Sequence, residues 1–304
     1  MRILIIMGIL SKLPPSSFLG FATITFLLFS PNVSGQVARS SWTNNDVEFM
    51  TYLVNNRLYE NALTLSHLLK LDDSIQADTL WYLVGWSHYN LKQLDSATVS
   101  LLNVSKNHST FAKSRFFSAY CAAHSRNTNS AKNILSAYQP SNEMLDELKR
   151  TQLAGLALLT KDLETYNKIS STFSYSYYSF AENQRTLDEI NMSIANFNHK
   201  SPFVAGLFSA LIPGSGKMYA GKVGSGLSSL FTVGILGALT WENYNRDGLL
   251  NPKTIIFGSL FTVAYSANIY GSVFSVKAYR DEYNKKIEHR ILFNLHIPIR
   301  NVFN

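Results

Sequence analysis

Gly214-Ser215-Gly216-Lys217 is the segment of this chain nearest to a known chemistry, the cradling of a phosphate by glycine amides and a lysine. A phosphate loop also needs a glycine five residues before the one preceding the lysine, and Ser or Thr after the lysine. Leu211 and Met218 stand at those positions, so the nucleotide reading fails. His67, His88, His108, His124, His199, His289 and His296 show no close metal-ligand spacing, and Cys121 has no second cysteine. Asp281-Glu282 and Lys285-Lys286 make i,i+4 pairs suited to a solvated helix, and Asp72-Asp73 suits an inter-helix turn. No Ser/His/Asp set stands out. The expectation is no catalytic residue, no cofactor, no metal and no enzyme.

The elements around Lys217 explain why. Hydrophobic content is 46% and charged content only 15%. Residues 223–243 and 254–277 are apolar stretches long enough, as helices, to cross a bilayer core of about 30 Å. Small residues recur at four-residue spacing, Gly234 and Ala238 on the first stretch, Ala267 and Gly271 on the second. Such faces let helices approach closely in lipid, so these four are the expected packing contacts. Pro213 lacks a backbone donor, and Gly214 and Gly216 tolerate left-handed backbone, so a helix breaks there. Tyr219 suits an interface, with its ring in lipid and its hydroxyl in water. Asn268 lies deepest in the second span and is expected to make an interhelical hydrogen bond.

Pro213-Gly214-Ser215-Gly216-Lys217-Met218-Tyr219, followed by paired spans, resembles a membrane module of bacterial exported proteins of unknown function. Its hallmark is Pro-Gly-x-Gly-Gln-x-Tyr, and Lys217 replaces the glutamine. The resemblance implies an envelope protein, often with an N-terminal helical repeat.

Residues 18–29 form an apolar run of signal-peptide length, and Val33 and Gly35 fit the −3 and −1 positions of a cleavage site. Residues 1–35 are therefore expected to be removed, leaving Gln36 first. A start at Met7 would give an ordinary n-region, and an uncleaved anchor is the competing reading.

Residues 36–175 read as helices poor in Gly and Pro. Trp81, Val84, Gly85, Ala97 and Leu101 fall on the tetratricopeptide offsets. A shift of 34 carries Gly85 to Ala119, Ala97 to Ala131 and Leu101 to Leu135. This resembles tetratricopeptide-type repeats, with departures at His88, Arg115 and Ala122; other helical hairpin repeats remain open. Glycine and alanine let paired helices approach while Trp81 and Leu101 fill the groove. Residues 176–200 read as a connecting helix. Residues 280–304 form a basic tail in which Ile291, Phe293, Leu295, Ile297 and Ile299 alternate as on a strand, limited to an edge by Pro298.

Residues 200–304 carry eleven Lys/Arg against five acids, basic charge that flanks apolar spans and suits anionic lipid. Nothing interleaves aromatic and basic residues as a nucleic-acid reader does. The loop between the spans is nearly neutral, so the positive-inside rule places it outside and both basic flanks in the cytoplasm. Export of the repeats agrees with that only if residues 202–216 also cross. Three crossings are the favoured expectation; a re-entrant half-helix in the module 201–279 is the alternative.

The expected fold is all-α: an exported solenoid of tetratricopeptide-like repeats, a helical membrane module and a short β-like tail. The expected function is a non-enzymatic envelope scaffold, in the inner membrane with its repeats periplasmic, binding membrane lipid and an unidentified protein or peptide. A subunit of a transport or channel assembly using the break at 213–216 is the alternative.

Overall fold

The structure is a computed structural model that describes residues 44–68 and 76–303. The expected signal peptide and Asp72-Asp73 lie outside the described residues. Those described are all-helical and contain no strand. In chain order they are α1 (Asn44–Asn55), α2 (Tyr59–Leu68), α3 (Ala77–Asn90), α4 (Leu94–Leu102), α5 (Phe111–His124), α6 (Thr128–Ala137), α7 (Glu143–Leu159), α8 (Leu163–Ser170), α9 (Ala181–Ala195), α10 (Pro202–Leu211), α11 (Ser215–Tyr219), α12 (Val223–Asp247) and α13 (Pro252–Phe303). The described residues divide into two compact units at the junction of Ala77 and Asp78.

In the first unit α1 and α2 form one helical hairpin. In the second, three hairpins follow, α3–α4, α5–α6 and α7–α8. Both ends of α3 and the start of α4 recur 34 residues later in α5 and α6. The turns share one device. Arg57, Lys92, Arg126 and Lys161 all have left-handed backbone, with φ between 58° and 64°. Each donates its N–H to the carbonyl three residues back, and the next residue donates to the carbonyl five back, as in Arg126 to Ala123 and Asn127 to Ala122. This pair of bonds satisfies the orphan carbonyls of the ending helix. In two turns the next residue also starts the following helix: Asn127 accepts from Ser130 N at 3.1 Å and Asp162 from Thr165 N at 3.0 Å.

α9 packs on this stack through Leu187 and Ile190, both fully buried. Phe180 is buried at its start, and the Tyr175 hydroxyl bonds Asp188. The aromatic cluster at 173–180 thus closes the end of the stack.

The tail is the largest departure from the sequence reading. α13 is continuous over 52 residues, so 280–303 are helix, not strand. Ile287, Ile291, Leu295 and Ile299 stand four apart and are buried against α5, α7 and α9, while Phe293 is exposed. Residues 291–299 fit both periods. The helical register wins because its face finds a core, whereas a lone strand would leave its backbone unpaired.

α10, α11 and α12 pack along the N-terminal half of α13. Ser201 at the entry of α10 donates its N–H to the Tyr219 hydroxyl at the exit of α11, 3.1 Å away. Arg280 bonds the Lys200 carbonyl, and Lys222 lies 3.8 Å from Glu282. Entry and exit therefore lie at one level of α13. Residues 202–219 go partway along the hairpin of α12 and α13 and return, with Tyr265 meeting the Ala210 carbonyl at the far point and Tyr219 meeting Ser201 at the near end. Ten residues of α10 span only about 15 Å, too short to traverse a hydrocarbon core. α12 is the one described helix long and apolar enough to cross a membrane. Almost none of its apolar stretch is buried, unlike the core helix of a globular domain.

Candidate functional site

The helix break is built from atoms that supply one another. α10 ends at Leu211, and Gly214 takes φ of 85°. A side chain at Gly214 would put Cβ 2.0 Å from the Gly226 carbonyl oxygen, and one at Gly216 would put it 1.9 Å from that of Ala205. Both glycines are thus required by close backbone approach. The break frees polar backbone groups in an apolar setting, where each must find a partner. Asn268 meets two of them: its Oδ1 accepts from Gly214 N at 2.9 Å and its Nδ2 donates to the Ser209 carbonyl at 3.1 Å. Ser209 Oγ accepts from Gly216 N at 3.0 Å and lies 2.6 Å from Ser272 Oγ. Tyr265 donates to the Ala210 carbonyl. Tyr219 packs edge-on against Phe208. Pro213 is half-buried at the turn. The interhelical role expected of Asn268 is what its geometry performs.

Lys217 is not a phosphate ligand by position. Its stem lies against Gly271, with Cε 3.1 Å from where a Cβ would stand, and its Nζ donates to Ser229 Oγ. It bridges α12 and α13.

The expected packing face of the long hairpin is wrong. Gly234 has open space where a Cβ would stand, and Ala238 and Ala267 are exposed. α12 instead turns Gly226, Val233 and Gly237 inward; Gly237 receives Phe261, and Gly258 faces Thr240. Gly271 meets α11 rather than α12. The reason is the pair of short helices α10 and α11, which wedges against α12 and α13 and rotates the face that α12 presents. Small-residue spacing alone carries no information about that third body.

In the helical hairpins, Gly85 receives Leu101, whose Cγ is 2.7 Å from a Cβ placed there. Ala97, Leu101, Ala119, Ala131 and Leu135 are buried, and Trp81 is half-buried. The departures from the motif have local roles. Arg115 donates to the carbonyls of Leu101, Leu102 and Val104, closing the end of α4. His88 Nδ1 lies 2.6 Å from Gln93 Oε1 across the turn.

The sequence reading missed the side chains that bind α13 to the stack. Gly155 lies against Leu295: a Cβ there would be 2.3 Å from Leu295 Cδ2. Gln152 Nε2 donates to the Leu295 carbonyl at 2.8 Å, and Asn183 Nδ2 to Asn294 Oδ1 at 2.9 Å. The basic turn residues reach the same helix, Lys161 to Asn284 at 2.8 Å and Arg126 to Glu288 at 3.4 Å. Glu147, also unforeseen, is buried with Arg150, Gln184 Nε2 and Ser174 N each at 2.7 Å. A buried carboxylate so supplied ties α7 to α9 and is fully engaged.

Beside the α3–α4 turn is an open cavity of about 760 Å³ lined by Tyr89, Lys92, Asp95, Tyr120, His124 and His296. His296 Nε2 is hydrogen-bonded to the Tyr89 hydroxyl and its ring stacks on Tyr120 at 4.6 Å. Burial first, then the charges of Arg300, Lys92 and His124, push His296 down to about 4. Burial pushes Tyr120 up to about 12 and Tyr89 well above the usual phenol range. A neutral imidazole against a neutral phenol is a docking contact and not an activated acid–base pair. Cys121, buried nearby, is pushed up to about 12 by the same burial, so its thiol is unreactive. No group of three or more His, Cys, Asp or Glu among the described residues could hold a metal.

Comparison with protein-family models, with curated proteins and with solved structures finds no match to this chain.

Proposed function

We propose that this chain is a non-enzymatic scaffold that displays tetratricopeptide-like helical hairpins from a membrane and binds a protein or peptide with them. The observation that carries the reading is α13, one unbroken helix. Its N-terminal half packs with α10–α12 and its C-terminal half completes the core of α5, α7 and α9. A flexible tether would let a binding module roam; a shared helix fixes its height and orientation. Residues 280–303 occupy the face on which α5, α7 and α9 would otherwise take a ligand. The partner therefore belongs on the outer surface, where Val99 and Leu102 of α4 are exposed.

In this reading α12 and residues 254–277 of α13 cross the inner membrane of a bacterial envelope. The exposed Phe231, Ile235, Ile256 and Val263 suit lipid contact. The hairpin stack lies on the periplasmic side, the side to which an N-terminal export signal sends it. Both basic flanks then share that side, against the positive-inside rule. The first targeting segment usually dominates orientation, and long domains translocate largely regardless of charge.

The competing reading is a transport or channel subunit with a path at the break. The bonds from Asn268, Ser209 and Ser272 weigh against it, because they engage the Gly214 and Gly216 amides and the Ser209 carbonyl within the protein itself.

A photo-reactive residue in place of Val99, in the full chain in its native membrane, tests the scaffold. The expected result is a discrete protein adduct, absent when the probe replaces Leu249 in the loop between α12 and α13. Equal labelling at both sites, or none at Val99, refutes it.

A further inference from the structure

We infer an anionic phospholipid site at the mouth of the re-entrant pair, formed by Lys200, Lys222 and Arg280 with the rings of Tyr219 and Tyr279. This rests on the membrane reading above. Lys200 stands one residue before the entry cap of α10, and Lys222 follows the exit of α11. Lys200 Nζ lies beside Gly221, 4.5 Å from the centre of the Tyr279 ring and 5.8 Å from that of Tyr219. Arg280 spends one amino group on the Lys200 carbonyl, and its buried Nε has no partner. Three cations thus converge on one mouth. Among the described residues the only carboxylate paired with any of them is Glu282, 3.8 Å from Lys222 and 72% exposed. So loose a pair does little to neutralise the group.

The surroundings choose between a lipid and a free phosphate. Directly below the mouth, on the first two turns of α10, Phe203 and Leu207 are exposed, at 77% and 49%. Cations above bare apolar side chains match the order of parts in a phospholipid, headgroup then acyl chain. A free phosphate would use only the upper part. The opposite end of the hairpin lacks this arrangement: Arg246 faces Asp247 at 3.7 Å, and no second helix break lies there. The site is therefore expected on one leaflet only.

The test uses the full chain in vesicles of phosphatidylcholine alone or with three parts in ten phosphatidylglycerol. Retention through alkaline carbonate washing reads insertion. Intact-mass measurement of lipids kept on release into mild detergent reads the site. Wild type is expected to insert into both vesicles and to keep phosphatidylglycerol over phosphatidylcholine by roughly tenfold, given the attraction of each basic residue to anionic lipid. The double variant K200Q/K222Q should insert equally and lose that preference. K200R/K222R should recover it, and K253Q, at the far end, should not affect it. Wild type inserting normally without preference overturns the site, as does a preference that survives K200Q/K222Q. Full displacement by soluble glycerol phosphate would make the occupant a free phosphate and overturn the lipid assignment. Failure to insert into either vesicle overturns the membrane reading itself.

Discussion

Substituting Gly155 should have opposite signs in two backgrounds that differ only at Leu295, 140 residues away. In the wild type a methyl at 155 would stand 2.3 Å from Leu295 Cδ2 and 2.9 Å from Cγ. The leucine is 1% exposed and its carbonyl is held by Gln152, so it has little room to retreat. Overpacking of this kind costs about 1–3 kcal/mol. The gain in helix propensity from glycine to alanine offsets about 1 kcal/mol of it. Gly155→Ala is therefore expected to destabilise α7 by about 0–2 kcal/mol. Leu295→Ala alone should cost about 2–5 kcal/mol through the cavity it leaves. In the Leu295→Ala background the new methyl enters vacated space, adding about 0.8 kcal/mol of burial to the propensity gain. Gly155→Ala should then stabilise by about 1–2 kcal/mol, a coupling at the upper end for residues in contact. Hydrogen exchange of the α7 amides, in the full chain in mild detergent, reads these as local opening free energies. Equal effects of Gly155→Ala in both backgrounds would refute the claim that α13 is a structural member of the hairpin stack.

Gly214→Ala and Gly216→Ala should each lower the melting temperature in detergent sharply, because the new Cβ meets backbone oxygen at 2.0 and 1.9 Å, whereas Gly234→Ala, with open space at its Cβ, should not lower it. Arg126→Gly should raise stability in chemical denaturation by about 1 kcal/mol through relief of left-handed backbone, its exposed pair with Glu288 being worth less. His296 falls from an ordinary 6.5 to about 4 on folding, so the unfolded chain binds the extra proton between those values. Its contribution is complete above pH 6.5 and is lost as pH falls towards 4. Partial solvent access reduces it to about 1–2 kcal/mol, and His296→Gln should flatten stability against pH by that amount across this window. Asn245→Cys and Lys286→Cys should be labelled by an impermeant reagent from opposite sides of the membrane, with buried Cys121 contributing no background; labelling from one side refutes the two-crossing hairpin.

What was legible in the sequence was whatever rests on local chemistry. Gly85, Ala97 and Ala119 announce close helix approach, Pro213 and Gly214 announce a break, and the charge-free run at 223–243 announces a long apolar helix. Asn268 could be singled out because a lone amide in such a run must find a partner. What was not legible depends on which body arrives from elsewhere in the chain. Residues 291–299 fit strand and helix alike, and only the face offered by α5, α7 and α9 decides. Gly155 looked like one more small residue until Leu295 filled its space. Gly234 and Ala238 had the spacing of a contact, but α10 and α11 took the neighbouring position. The four basic turn residues at 57, 92, 126 and 161 were a usable signal that went unread. Their spacing of 34 or 35 marks the repeat as clearly as the helix residues do.

The shared helix also sets an order of events. Synthesis runs from the N-terminus, so α3 to α9 exist before the residues that complete their core. About ninety residues separate Ala195 from Ile287, which at roughly 5–20 residues per second is a delay of about 5–20 s. Through that interval the stack lacks Ile287, Ile291, Leu295 and Ile299, and its inner face stays open. The bond between Tyr89 and His296 closes a loop of 207 residues, one of the most distant pairings in the molecule. Such closures come late because their entropy must be met before they return any contact energy. The nascent stack therefore remains loose and chaperone-accessible until the apolar hairpin is made, and its final compaction reports that the last helix has arrived.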